Sequence, residues 1–448
     1  MIRHAGSLHA AKRKEGMNMA AKMDRRTFVR TAAAGVAAGF ATGRARGANE
    51  KIRLGFIGVG NRGGQLIEFT QKHADAEIVA LCDVYDPFLK KWAEKLGGGV
   101  RQYRDFRALL EQDSIDAVVV ASPDHWHALH TIMACEAGKD VYVEKPLSIT
   151  IHEGRKIADA AKKTGRIVQV GIQRRSGQMY SELAQRVRDG LIGKVTVARC
   201  YRITNMWPNG IGKAQDADPP ADLDWDMWLG PRPMRPFRDT IAPYKFRWWQ
   251  AYSSQVANWG VHFLDVIRWM LGETGPSAVA ALGGKFAVDD DRDIPDTMEV
   301  TYELPSGALA VFGQYEASGA DAMKRGYVEL RGTKGTIYMD DRGYEILPER
   351  GGQFQDNAPR MEPAEVKSTD GDLSVQHIRN FLDCIKSREQ PSADAETGHR
   401  STTFSHLANI ALATRSVIEW DADAERITNN DKANALLHYE YRKPWKLA

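Results

Sequence analysis

Cysteine is scarce in this chain of 448 residues: Cys82, Cys135, Cys200 and Cys384 stand far apart, with no CxxC and no Cys/His ligand spacing. Neither a disulfide framework nor a metal site is expected from that arrangement. Three of the four fall in apolar patterns, where a free cysteine acts as a small core residue. Long apolar runs are missing as well. The Ala/Gly-rich stretch Thr31 to Thr42 counts twelve residues, where a bilayer span needs about 20. A basic block beyond the N-terminus is the third absence. Residues 1–48 hold ten Lys and Arg against two Asp and Glu, and account for the formal net charge of +3; after them 51 basic residues face 56 acidic ones. No nucleic-acid surface follows, and a small-molecule partner is expected.

What is present describes an ordinary globular protein, 43% hydrophobic and 27% charged, long enough for two or three domains. The N-terminus reads as an address. Arg25-Arg26-Thr27-Phe28 precedes the Ala/Gly stretch and small residues through Ala48. This resembles a twin-arginine export signal, so residues 1–48 are expected to be a signal segment, and the rest to act in the periplasm or outside the cell with no integral membrane segment. Asp24 stands where such signals more often carry Ser or Thr, and a basic tail on a cytoplasmic protein is the alternative.

The stretch Lys51 to Gly64, KIRLGFIGVGNRGG, organises the first half. An apolar run, Leu54 to Ile57, breaks into Gly58, Val59, Gly60, Asn61, Arg62 and Gly63, and an amphipathic segment follows from Gln65 to His73. The order implies strand, tight turn and helix. Gly58 permits the turn, Gly60 lets a pyrophosphate approach the backbone next to Asn61 and Arg62, and Gly63 lets the helix pack on the strand. A second β-rich run, Glu77 to Cys82, ends in Asp83, twenty residues past Gly63, where a dinucleotide fold wants an acid for the adenosine ribose. With no basic residue directly after it, Asp83 leans towards NAD over NADP, because a carboxylate disfavours a 2′-phosphate.

Strand and helix patterns then alternate through Gly171, which implies a doubly wound parallel sheet whose ligand lies outside the carboxyl ends of its strands. Two such ends carry polar groups: Ser122-Pro123-Asp124-His125-Trp126-His127 and Glu144-Lys145-Pro146. From about Gln173 the grammar changes to β-rich runs joined by short turns, with few helices, and a mainly antiparallel sheet is expected. One face of that sheet would pack on helices; the other is a candidate oligomer surface. Seven of the eleven tryptophans lie between Trp207 and Trp269, where rings could line a sugar cleft or simply pack.

Lys145 follows a strand that should point at the nicotinamide, and its ammonium can polarise a substrate oxygen. The predicted helix Val256 to Leu271 places Asn258, His262 and Asp265 on one stripe. A His with a nearby carboxylate can accept a hydroxyl proton near neutral pH. The bland reading is a hydrogen-bonded structural His beside a helix-surface Asp.

Together Gly58-x-Gly60-x-x-Gly63, Asp83, Ser122-Pro123-x-x-x-His127, Glu144-Lys145-Pro146 and Gly260-x-His262-x-x-Asp265 resemble the Gfo/Idh/MocA family of glucose-fructose oxidoreductase and inositol dehydrogenase. The resemblance implies an α/β protein: a Rossmann doubly wound sheet over 49–173 that binds NAD or NADP, then an α+β part with a large open antiparallel sheet over 174–448 that contacts substrate and forms a homodimer or homotetramer. It assigns Lys145 to the catalytic site and makes His262 the acid/base. Gly58, Gly60, Asn61, Arg62, Gly63, Asp83, Ser122, Pro123, His127, Glu144 and Lys145 become the cofactor-binding residues. The family's usual pattern has Asp four residues before the histidine, whereas this chain has Asn258, which can hydrogen-bond a hydroxyl but cannot take its proton. More weight then falls on His262, with Asp265 as an orienting group. The expected activity is hydride transfer from a secondary hydroxyl of a sugar, glycoside or cyclitol to a tightly held nicotinamide. Redox-neutral glycoside cleavage and a nucleotide-bound binding protein are the alternatives.

Overall fold

Strands buried on both faces need apolar runs, which the first half of the chain supplies for the centre of a six-stranded sheet, while the edge strand Arg101–Tyr103 is polar and largely exposed. β1 (Ile52–Ile57), β2 (Ala76–Cys82), β3 (Arg101–Tyr103), β4 (Ala117–Val120), β5 (Asp140–Val143) and β6 (Val168–Val170) form a parallel sheet in the order β3-β2-β1-β4-β5-β6. Helices α1 (Asn61–Thr70), α2 (Asp86–Lys95), α3 (Phe106–Leu110), α4 (His127–Glu136) and α5 (Ile151–Thr164) connect them. Strand order reverses between β1 and β4, which opens a crevice above their carboxyl ends. This is the computed structural model of the chain, and it describes residues 51–319 and 325–447. The export-signal reading of 1–48 lies outside the described residues.

The second sheet has ten strands: β7 (Val195–Ile203), β8 (Ala278–Gly284), β9 (Thr297–Glu303), β10 (Leu309–Tyr315), β11 (Val328–Gly332), β12 (Gly335–Asp340), β13 (Gly343–Pro348), β14 (Ala364–Lys367), β15 (Ile418–Asp421) and β16 (Arg426–Ile427). Its pairings are antiparallel apart from β7 with β10. Period-two alternation sets its faces: in β9, Met298, Val300 and Tyr302 are buried while Glu299, Thr301 and Glu303 point to solvent. The buried face packs on α6 (Gln178–Arg188), on α8 (Val261–Leu271) and on α10 (Ala395–Thr414) through residues such as Leu183, Phe263, Leu264 and Phe404. A short helix, α7 (Trp225–Leu229), lies in the insert between β7 and α8.

Two late segments return to the first sheet. Helix α9 (Leu373–Ser387) lays Ile378, Phe381, Leu382 and Ile385 against Ile52, Leu54, Phe56 and Val119. Near the C-terminus the Tyr441 hydroxyl donates to Glu153 Oε1 at 2.6 Å. Glu153 also completes the capping box with Thr150 that starts α5. The first sheet is thus roofed on one side by a helix that comes more than 200 residues after it in the chain.

The rings of the insert serve both packing and the crevice, which Trp228, Tyr244 and Phe246 help to line. Trp225, Trp228 and Trp249 are buried with Phe237, Phe246 and Tyr252 in a small core of their own. Trp225 and Trp228 stack with ring centres 4.8 Å apart. Most of these rings satisfy each other, which is the cheaper use of large apolar surface.

Candidate active site

The crevice at the reversal is a cleft of about 420 Å³. Gly58 turns the chain there with φ +86°, and a Cβ on it would lie 2.4 Å from Ser122 N. A Cβ on Gly63 would lie 2.0 Å from Gly58 O, so the start of α1 can close on β1 only without a side chain. No acidic side chain stands in the first turn of α1 and its N-cap is Gly60, leaving the helix amides next to the cleft for an anion. Gly58, Gly60, Asn61, Arg62, Asp83, Ser122 and Pro123 all line it. Asp83 Oδ2 accepts Val59 N at 2.8 Å and Oδ1 accepts Tyr85 N at 3.0 Å, which fixes the carboxylate at the end of β2. Burial pushes its pKa up to about 6, against those backbone donors. A cradle free of Cβ atoms, open helix amides and a fixed acid together fit an NAD dinucleotide.

Of the residues expected at the cofactor, His127, Glu144 and Lys145 do not line the cleft. His127 is fully buried, Nδ1 at 2.6 Å from Pro146 O and Nε2 at 2.9 Å from Ser122 O, and does not line the cleft. It ties two strand ends together, because a buried imidazole at a helix start needs partners for both nitrogens. Glu144 is likewise set behind the cleft, where its Oε1 takes Arg62 Nε at 2.7 Å. Burial opposes its charge, yet Arg62 and Lys145 hold its pKa below the usual carboxylate range. Gly63 stays off the cleft and lets α1 pack on β1, the role its spacing predicts.

Beyond the cleft stands the second group. Lys145 follows β5 and its Nζ donates to the backbone oxygen of Asn258 at 2.8 Å. Burial brings the ammonium down to about 8, despite the attraction of Glu144 and Asp124. Arg247 joins the two regions, since it lines the cleft and its charge acts on Lys145. His262 is buried and its Nδ1 has no hydrogen-bond partner. Burial first, then Lys145, Arg174 and Arg62, hold its pKa well below the ordinary imidazole value.

The stripe Asn258, His262, Asp265 is corrected in two respects. The predicted single helix begins with a π turn, Val256–Gly260, before α8, so Asn258 is out of α-helical register with His262. The same turn brings the Asn258 carbonyl onto Lys145. Asp265 does not orient His262: it is fully buried, pairs with Arg175 at 2.8 Å and accepts Ser401 Oγ at 2.6 Å. A buried carboxylate goes to the guanidinium that neutralises it, and Arg175 supplies one. Periodicity gave no sign of Arg247 or Asp124. Asp124 sits inside the strand-end segment already singled out, accepts Ser253 Oγ and acts on Lys145; strand-end position alone could have marked it.

Two family descriptions match this chain: an oxidoreductase family with an NAD-binding Rossmann fold over residues 52–172, and the C-terminal alpha/beta domain of the same family over 179–447. The chain belongs to the Gfo/Idh/MocA oxidoreductase family, and it is an NAD-dependent enzyme of that class. It is similar to a protein of Thermotoga maritima named myo-inositol 2-dehydrogenase, 26% identical over 81% of this chain and 96% of that one. A Shewanella oneidensis protein named alpha-N-acetylgalactosaminidase is 32% identical over 33% of this chain and 34% of its own. In fold, the chain is like the aldose-aldose oxidoreductase of Caulobacter crescentus, with a TM-score of 0.61, 19% identity, and 83% of this chain and all of that one covered.

Proposed function

We propose that the protein oxidises a secondary hydroxyl of a sugar, glycoside or cyclitol. One observation carries the reading: Lys145 Nζ is held on the Asn258 carbonyl while His262, four residues further on, keeps an unpartnered Nδ1. When bound, the nicotinamide supplies the hydride acceptor. His262, kept uncharged by burial and nearby cations, offers a ring nitrogen to the hydroxyl hydrogen. Lys145, with a pKa of about 8, is mostly charged at neutral pH and stabilises the oxygen as its proton leaves. The Asn258 amide can hold a hydroxyl but takes no proton. The name of the Thermotoga maritima relative supports a polyol substrate. His262→Ala should abolish substrate-dependent reduction of NAD while nucleotide binding persists; retained turnover removes His262 from the mechanism.

Export through the twin-arginine route and a retained dinucleotide form part of the same proposal, on the strength of Arg25-Arg26-Thr27-Phe28. A compartment without a pool to recycle NADH favours a cofactor reduced and reoxidised in one cycle. Denaturing the purified protein and quantifying released nucleotide tests this, near-stoichiometric release being expected and none counting against it. The open face of the ten-stranded sheet is the proposed surface for a homodimer or homotetramer, which light scattering would size. A second reading, glycoside cleavage through transient oxidation, is supported by the Shewanella oneidensis relative. Free aglycone without net oxidation favours it.

A further inference from the structure

Around the candidate site, acids and bases come in pairs. Glu144 is matched by Arg62, Asp265 by Arg175 and Glu316 by Arg292. Arg202, at the carboxyl end of β7, has no match: among the described residues no carboxylate reaches ion-pair distance of it, and its buried Nε has no hydrogen-bond partner. Its guanidinium carbon lies 3.9 Å from the centre of the Trp259 ring, so the indole face fixes the plane of the fork. Glu316 attracts Arg202 from further off, but its oxygens are occupied by Arg292 and the Trp248 indole. A buried donor left unpaired is costly, and persists where a ligand completes it.

Its position is also informative. Trp259 follows Asn258, whose carbonyl holds Lys145, and its ring centre is 6.5 Å from that of His262. Trp259 is 38% exposed and Tyr244 46%, so this corner is open to solvent. Among the described residues Lys145 and Arg247 are likewise without an ion pair, while Asn258 contributes no charge. With Glu144 held by Arg62, Asp124 is the further carboxylate that acts on Lys145, and the corner carries an excess of positive charge next to the reacting groups.

We propose that Arg202, laid on Trp259, binds a carboxylate of the substrate, so that the protein acts on sugar acids or other polyhydroxy carboxylates. The inference rests on the hydride-transfer reading above and names the substrate class of that site. A planar carboxylate suits the in-plane N–H groups of one guanidinium through two parallel hydrogen bonds.

The test uses the purified full-length protein with NAD and substrates in matched sets: glucuronate with glucose, galacturonate with galactose, and glucose 6-phosphate. The acid should exceed its neutral partner in kcat/KM by about 30-fold or more, and Arg202→Gln should erase that ratio. Arg202→Lys, which keeps the charge and loses the fork, should fall between. NADH affinity of each variant, read by fluorescence, reports that the fold survives. Preference of the wild type for neutral sugars or for the phosphate overturns the proposal, as does a ratio that Arg202→Gln leaves intact. If no compound in the sets reduces NAD, the hydride-transfer reading falls, and calorimetry of glucuronate on the NADH complex decides the anion site. Binding that Arg202→Gln abolishes upholds it, and absence of binding overturns it.

Discussion

The cleft and the group of side chains beyond it treat charge in opposite ways. On the dinucleotide side three side chains are committed before a ligand arrives, and the backbone amides of α1 are what is left open: Asp83 holds two backbone amides, Arg62 holds Glu144, and His127 bridges two strand ends. On the substrate side Lys145 rests on one carbonyl, His262 has an idle nitrogen and Arg202 lies unpaired on an indole. Recognition of an invariant cofactor rests on backbone shape, which cannot drift. Chemistry and substrate choice rest on side chains left free to take new partners.

That contrast can be broken from either side. The largest effect should come from Lys145→Met, which removes the charge facing the developing alkoxide and should lower kcat by about 10³-fold with NAD affinity retained, measured by steady-state kinetics and nucleotide titration. Loss of nucleotide binding in that variant would mean the two sides are not separable. Gly63→Ala attacks the other side, since its Cβ would meet Gly58 O at 2.0 Å. It should weaken NAD by about 100-fold or unfold the crevice, seen as a fall in affinity and in Tm, at roughly 1.4 kcal/mol per tenfold. The smallest effect sharpens the division of labour within the substrate side. Because the pKa of Lys145 is lowered to about 8, its ammonium is present below that value and lost as pH rises through it. Activity should fall above pH 8 if the charge is what matters; a rise through the same range would instead make Lys145 the base.

Much of this was legible in the chain because it rests on local rules. The glycine fingerprint, Asp83 and the alternation of strand and helix are each set within a few residues, and they position the cleft. The antiparallel second sheet followed from short turns such as Pro305-Ser306-Gly307. What escaped depends on partners distant in sequence. Asp265 faces Arg175 across 90 residues, and Arg202 meets Trp259 only once β7 and the π turn are in place. The π turn itself leaves periodicity almost untouched, since a single wider turn displaces a register without changing which residues are apolar. The tryptophans of the insert were ambiguous for the same reason: composition cannot say whether rings face each other or a ligand.

Helix α9 closes the face of a sheet completed at Val170, yet its last residue is Ser387. On a ribosome adding about 5–20 residues per second, the part of that face that α9 covers stays open for roughly ten to forty seconds. Until then Ile52, Leu54 and Phe56 have only α1 and α2 against them, through Leu66, Ile67, Leu89 and Trp92. That interval leaves a strip of apolar sheet for a holding chaperone to cover, although the residues that line the nucleotide cleft, the last of them Arg247, are all made well before α9.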